Sequence, residues 1–215
     1  MTRKLLTQAN KVTNPGRRNV RTTVRGSVTK NTIITGNENF GSISTIAGGV
    51  GAFNCVMSAG TGLGRVNSPI DAVARLYSNY KYLPGTVFHY VPAVGTTTSG
   101  SVTVAYVDNA EVMAAAVLAS VTPATFGDFV RGAANAKTYS IWESFTYPIM
   151  PAVRKLYNVN ASLNPGVATP DEYERTTQGM FLISVESAPS NLPAVGRIWV
   201  HTNIQLENLR GVVNT

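Results

Sequence analysis

Residues that could carry out chemistry are few in this sequence and lie far apart. His89 and His201 each lie in a stretch that alternates like a β-strand, and Cys55, the single cysteine, has no histidine near it. A lone histidine on a strand is more often a polar surface or interface residue than a catalyst. No serine stands in the sharp strand-to-helix turn that exposes the nucleophile of hydrolases. The sequence therefore does not favour an enzyme.

A glycine-rich segment at residues 60–64 has some of the character of a phosphate-binding loop. It reads Gly-Thr-Gly-Leu-Gly, but the Gly-Lys-Ser/Thr of a nucleotide-binding loop is missing. Its spacing also differs from that of a dinucleotide-binding fingerprint. We interpret the segment as a turn.

Asp108 and Glu111 form the pair whose spacing is most suggestive of binding. They follow a predicted strand, residues 100–107, that ends in an acidic turn. We expect this turn to lie at a sheet edge, where a cation or a neighbouring subunit could reach it. The strand alternates with period two, and one of its faces suits a core: Val102, Val104 and Tyr106.

Positive charge is concentrated at the start of the chain. Residues 1–30 carry eight basic residues and no acidic residue, whereas residues 31–215 carry ten basic and eleven acidic residues. Such asymmetry is typical of a polyanion-binding tail on a nearly neutral body. The eight candidate RNA-binding residues are Arg3, Lys4, Lys11, Arg17, Arg18, Arg21, Arg25 and Lys30.

The arm, which we place at residues 1–35, is too poor in apolar residues to fold alone, and Pro15-Gly16 would break a long helix. No apolar segment follows Arg3-Lys4, so a secretory signal is not expected. A basic organellar transit peptide and a solvated tail without a ligand are alternatives. The density of charge favours nucleic acid.

The remaining 36–215 have the composition of one globular domain with unusually neutral surfaces. The chain of 215 residues is 44% hydrophobic but only 13% charged, roughly half the usual charged share. Large neutral surfaces tend to become interfaces. One cysteine excludes an intramolecular disulfide and indicates a reducing compartment. No segment has the apolar length that a membrane span requires.

Short, evenly spaced strands predict an all-β fold, an eight-stranded jelly-roll β-sandwich with short connecting helices and a basic N-terminal arm. Helices are expected to begin at Ser68, Thr122 and Thr169, each of which precedes a proline. The first helix should present a stripe that extends to Tyr77, while residues 111–121 could be helical or extended. The predicted strands are 40–46, 53–58, 82–91, 100–107, 139–147, 153–159, 179–187 and 197–206.

Four motifs occur here in an order known from one group of proteins. They are Tyr77-x-x-Tyr80-x-Tyr82, the strand 87–92 that closes on Tyr-Val-Pro, the Thr/Ser-Gly loop 96–100, and Asp108-x-x-Glu111. Together, over residues 66–111, they resemble the shell domain of capsid (coat) proteins of small icosahedral positive-strand RNA viruses of plants, the tombusvirus and sobemovirus families. In these proteins the first motif ends a helix.

The resemblance implies a subunit that assembles with itself into an icosahedral shell, T=3 or smaller, around single-stranded genomic RNA. The arm lies where the family keeps its RNA-binding segment, and a projecting domain is not expected. Family members bind calcium between subunits. Asp108 and Glu111 match the two Asp ligands, with Glu in the second place, while Tyr106 stands where some members have a further acid. The protein would occur in the virion and assemble in the host cytoplasm, without a membrane or a small-molecule substrate.

A second hypothesis is a carbohydrate-binding or cupin-like jelly roll targeted to an organelle. It predicts cleavage of the arm and a monomer or small oligomer. Metal-binding cupins use clustered histidines, and this chain has two in all.

Overall fold

The computed structural model describes residues 25–26, 31–60, 68–149, 157–159 and 168–210. These ranges contain eleven strands and four helices. The strands are β1 (Arg25–Gly26), β2 (Asn31–Ile43), β3 (Gly51–Met57), β4 (Tyr77–Tyr82), β5 (Val87–Pro92), β6 (Ser101–Val107), β7 (Lys137–Ser140), β8 (Phe145–Pro148), β9 (Tyr157–Asn158), β10 (Gly179–Glu186) and β11 (Gly196–Leu209). The helices are α1 (Pro69–Ala74), α2 (Ala110–Ser120), α3 (Pro123–Arg131) and α4 (Pro170–Thr176).

Two antiparallel sheets form a sandwich, which confirms the predicted all-β sandwich but not the predicted number of eight strands. Sheet A has the order β1-β2-β11-β4-β9, and β5 pairs with both β11 and β8. Sheet B has the order β3-β10-β6-β7. Since β4 pairs with the end of β11 and β5 with its beginning, β4 and β5 are two halves of one interrupted strand. The β8 and β9 strands flank these halves in the same way.

The prediction of one continuous strand over residues 82–91 was wrong. A turn separates β4 from β5, in which the Thr86 amide donates to the Leu83 carbonyl at 3.2 Å. Gly85 adopts φ 92°, a left-handed conformation that glycine tolerates best. The first helix is also shorter than predicted, because Tyr77 pairs with Leu209 in sheet A instead of continuing α1. The tyrosine motif of residues 77–82 is therefore a strand.

Residues 139–147, predicted as one strand, divide between the two sheets. The β7 strand pairs with β6 in sheet B, whereas β8 pairs with β5 in sheet A. The chain crosses at a turn where the Glu143 amide donates to the Ser140 carbonyl at 2.9 Å. The rings of Tyr139 and Phe145 stack across this crossing at 4.0 Å.

Two other predicted boundaries also differ. The β2 strand begins at Asn31, not at residue 40, so residues 31–35 lie in the sandwich and not in the arm. Of the predicted strand 153–159, Tyr157 and Asn158 pair with β4, while residues 153–156 lie outside the described ranges.

A main core fills the space between the two sheets. It is rich in aromatic rings, such as Phe88 and Phe181, whose centroids lie 4.8 Å apart. Along β11, Ile198, Val200 and Ile204 face this core and are fully buried. Truncating one of these large side chains to alanine should cost about 2–5 kcal/mol.

A second core lies on the opposite side of sheet B, where α2, α3 and α4 cover the sheet. Phe126, Tyr173 and Leu182 are fully buried there. Consequently β10 is buried on both faces, and even the polar Ser184 is 1% exposed. Helices that were expected only as connections thus cover one of the two sheets, whereas the described residues place no helix on the outer face of sheet A.

Candidate functional site

Asp108 and Glu111 lie where β6 gives way to α2, and both are exposed. The side chain of Asn109 accepts a hydrogen bond from the Val112 amide at 3.1 Å and begins the helix. Glu111 lies in the first turn, where the positive end of the helix dipole favours a carboxylate. β6 lies between β10 and β7, but β7 pairs only with residues 101–104, so the end of β6 before the acidic turn pairs with β10 alone among the described strands. The expected sheet edge is thus met at the end of the strand and not along its whole length.

Tyr106 does not contribute to this acidic turn. Its ring is 6% exposed and points into the main core, where its hydroxyl donates to the Gln178 carbonyl at 3.2 Å. Burial raises the pKa of Tyr106 far above its usual value, and the nearby Asp108 carboxylate raises it further. The phenol therefore stays neutral and away from solvent.

The acidic turn by itself has too few carboxylates to hold a calcium ion. A cavity of about 590 Å³ opens beside Asp108, between β6, α2 and α3. Asp128 also lines this cavity but forms an ion pair with Arg131, and the Asn135 amide is bonded to the backbone of Tyr106. Among the described residues, no cluster of three or more His, Cys, Asp or Glu could hold a metal. Calcium takes roughly six to eight oxygen ligands, so a second subunit would have to complete the site.

The exposed side of α2 is the larger candidate for an interface. Apart from Glu111 this helix carries no charge, and it is apolar on its exposed side as well as on its buried side. A helix that is hydrophobic all round is normally buried. Here Leu118 is 70% exposed and Val121, just after the helix, is 79% exposed. We call the exposed residues Val112, Ala115, Leu118 and Val121 the α2 ridge.

Sequence reasoning missed the α2 ridge because residues 111–121 were left open between helix and strand. The signal was present in the spacing of the apolar residues, which recur at every third position from Val112 to Val121. Only the helical assignment turns that spacing into one continuous face.

Of the eight predicted RNA-binding residues, only Arg25 lies within the described ranges. It belongs to β1, where it pairs with Ile33 at the edge of sheet A. The arm therefore joins the sandwich at that edge. The other seven, from Arg3 to Lys30, lie outside the described residues.

The remaining candidate residues do not come together. Cys55 is buried in the main core, whereas His89 and His201 lie on the outer face of sheet A. Burial lowers the pKa of His89, and the nearby His201 lowers it further. The Gly60 amide donates to a carboxylate oxygen of Asp71 at 2.8 Å, so this donor is already occupied and is not free to bind a phosphate. Residues 61–64 lie outside the described ranges.

No protein-family model and no curated protein matches the chain. Among solved structures it is similar to tobacco necrosis virus, with a TM-score of 0.69 and 15% identity over 92% of this chain and 90% of that chain. Mud crab tombus-like virus gives 0.63 and 14% identity over 92% and 94%. Cocksfoot mottle virus gives 0.61 and 13% identity over 80% and 92%. The fold is that of a viral capsid shell domain.

This result confirms the predicted resemblance to tombusvirus and sobemovirus capsid shells at the level of fold. The capsid proteins with this fold are structural and non-enzymatic, in agreement with the scattered candidate residues. Within the part of the chain that the structure describes, the helices are too short or too polar to cross a membrane.

Proposed function

We propose that the chain is a capsid subunit that assembles with itself into an icosahedral shell and packages single-stranded RNA. The observation that carries the proposal is the similarity to a virus structure over nine-tenths of both chains. The α2 ridge supports it independently, because it is an apolar surface that one subunit leaves uncovered. The shell would be that of a virion assembled in the host cytoplasm.

The arm is the part of the chain best suited to hold the genome. Its eight cations would displace counterions from phosphates with little preference for base. If all eight engage a single strand, the logarithm of the binding constant should fall with the logarithm of salt concentration with a slope of about −5 to −6. Residues 31–215, with ten basic and eleven acidic residues, are nearly neutral in sum.

Deletion of residues 1–30 tests the role of the arm. We expect particles or subunits whose sandwich remains folded but whose nucleic-acid content, measured by the ratio of absorbance at 260 and 280 nm, falls to the level of protein alone. A variant with the eight arm bases replaced by glutamine keeps the length of the arm and should behave in the same way. Unchanged nucleic-acid content in both variants would refute the assignment.

Calcium is a further part of the proposal. Asp108 and Glu111 would supply carboxylate oxygens, and a neighbouring subunit the others. Removal of calcium by a chelator should then swell or loosen the shells, because the two carboxylates would repel each other without the cation. The Asp108→Asn/Glu111→Gln variant should form shells that no longer respond to chelator. Identical chelator responses of this variant and the parent would exclude these residues as ligands.

Shell size follows from the mass of the assembled particle. A T=3 arrangement is our working assumption, and mass measurement of intact particles tests it. A smaller closed shell would contradict T=3 without contradicting assembly.

A further inference from the structure

The outer face of sheet A is a surface of the sandwich that no helix of the described chain covers. Its residues alternate outward along β11, while the residues between them are buried in the main core. We call the outward set Lys81, His89, Arg197, Trp199 and His201 the sheet A face. Unlike the α2 ridge, it combines one exposed aromatic ring with cations and imidazoles.

Strand register brings these side chains together. Trp199 lies directly between Asn39 of β2 and His89 of β5, and His89 is opposite Thr146 of β8. Directly opposed residues on neighbouring strands have Cβ atoms about 4.5–5.5 Å apart, so the indole and the His89 imidazole are adjacent. Trp199 remains 37% exposed. Its ring is therefore open to a planar partner from solvent.

The positively charged residues of this face lie on either side of Trp199 along the sheet. Arg197 is two residues before Trp199 on the same face, and Lys81 is opposite Gln205 further along β11. From Arg197 to the Gln205 row the face extends about 27 Å at the usual rise of a strand. Among the described residues, neither Arg197 nor Lys81 forms an ion pair.

Carboxylates are scarce on this face. Glu207 lies at its far end, where its side chain accepts a hydrogen bond from the amide of Gln205. Glu38 of β2 points to the other side and is 5% exposed. His201 bonds to Asn37 through Nδ1 at 2.8 Å. The net character of the face is cationic, aromatic and rich in amides.

We propose that the sheet A face is a second binding surface for single-stranded nucleic acid, on which Trp199 stacks with a base and Arg197 and Lys81 contact phosphates. Stacking on an aromatic residue within a positively charged groove is how many proteins hold single strands without reading their sequence. The arm joins the sandwich at the edge of this same sheet, through the pairing of Arg25 with Ile33. A nucleic-acid strand bound by the arm would thus lie close to the sheet A face.

A second copy of the chain is the alternative occupant, and the charges argue against it. Two such faces in contact would bring Arg197 and Lys81 close to like charges, which costs free energy unless carboxylates are opposite. The α2 ridge, by contrast, offers the apolar surface that contacts between subunits use. Phosphates supply the negative charge that this face lacks.

Tryptophan fluorescence of the full-length chain tests the proposal directly. The chain has two tryptophans, Trp142 and Trp199, so the Trp142→Phe variant leaves Trp199 as the reporter and the Trp199→Phe variant leaves Trp142. We expect oligouridylate to quench Trp199 and to leave Trp142 unchanged. Trp199→Ala should weaken binding of the oligonucleotide by about fivefold or more, the lower end of measured stacking contributions.

Charge variants provide a readout that does not depend on the indole. Arg197→Gln and Lys81→Gln should each make the logarithmic salt slope of binding shallower by about 0.7, the value for one phosphate contact on a single strand. Arg175→Gln is the matched control, because this side chain on α4 is 70% exposed and does not belong to the sheet A face. Its salt slope should equal that of the parent protein.

The inference rests on the proposed RNA packaging, and the outcomes separate the two. If fluorescence anisotropy shows labelled oligouridylate bound while Trp199 emission is unchanged, the sheet A face is not a binding surface, although packaging by the arm stands. If no oligonucleotide binds at all, both fail. If Trp199 emission shifts on assembly in the absence of RNA, a second copy covers the face and the inference is overturned.

Discussion

Replacing Leu118 by lysine should prevent shell assembly without unfolding the subunit. Full burial of a leucine side chain is worth about 1.5–3 kcal/mol. Since Leu118 is 70% exposed in the single subunit, burial of this exposed part at an interface would contribute about 1–2 kcal/mol. Lysine forfeits this gain and adds the cost of burying an unpaired ammonium group, which is several kcal/mol.

The subunit itself should tolerate this change. Leu118 lies in the last turn of α2, where the helix dipole favours a cation. The urea midpoint should therefore stay close to that of the parent protein. Leu118→Ala is the milder variant and should raise the protein concentration needed for assembly about 5- to 30-fold.

Leu76→Lys is the control for the added charge. Leu76 follows α1, is 56% exposed and lies outside the α2 ridge. Light scattering against protein concentration measures the assembly threshold of each variant. Our reasoning would be refuted if Leu118→Lys assembled at the concentration of the parent protein, or if Leu76→Lys failed to assemble to the same extent.

Two further predictions concern the sandwich. A methyl group on Gly196 would lie 2.1 Å from the Tyr90 ring, whose hydroxyl donates to the Ile141 carbonyl at 2.7 Å. Gly196→Ala should therefore lower the free energy of unfolding by about 1–3 kcal/mol or more. Gly95→Ala is the control and should lower it little, because a methyl group there would meet no atom within 4 Å. Equal urea midpoints for the two variants would contradict the packing of Tyr90. Because burial lowers the folded-state pKa of His89, the unfolded chain binds more protons, and stability should decrease as the pH falls from about 6.5 towards that lower pKa. His89→Asn should show a smaller loss of stability over this range, and an unchanged loss would rule out the contribution of His89.

The sequence predicted the sandwich because its alternating strands have to bury one face. In β11 the alternation of Ile198 and Val200 with Arg197 and Trp199 agrees with the observed burial. Local caps were equally informative: Thr169 and Glu172 form the expected start of α4 through reciprocal hydrogen bonds.

The pairing of strands that are distant in the sequence could not be predicted from local patterns. Nothing in the sequence around Tyr77 indicates that Leu209 will pair with it and end the preceding helical stripe. The split of residues 139–147 likewise depends on two partners, β6 and β5, that lie in different sheets. The sheet A face was missed for the same reason, since it combines residues from separate strands.

The central claim is that this nearly neutral sandwich forms closed shells while its cationic arm holds RNA inside. Electron microscopy of the purified full-length protein after nuclease treatment, with extraction of the protected RNA from the same particles, tests it most directly. We predict closed shells of uniform diameter that contain nuclease-resistant single-stranded RNA. A monomer without RNA would contradict the account.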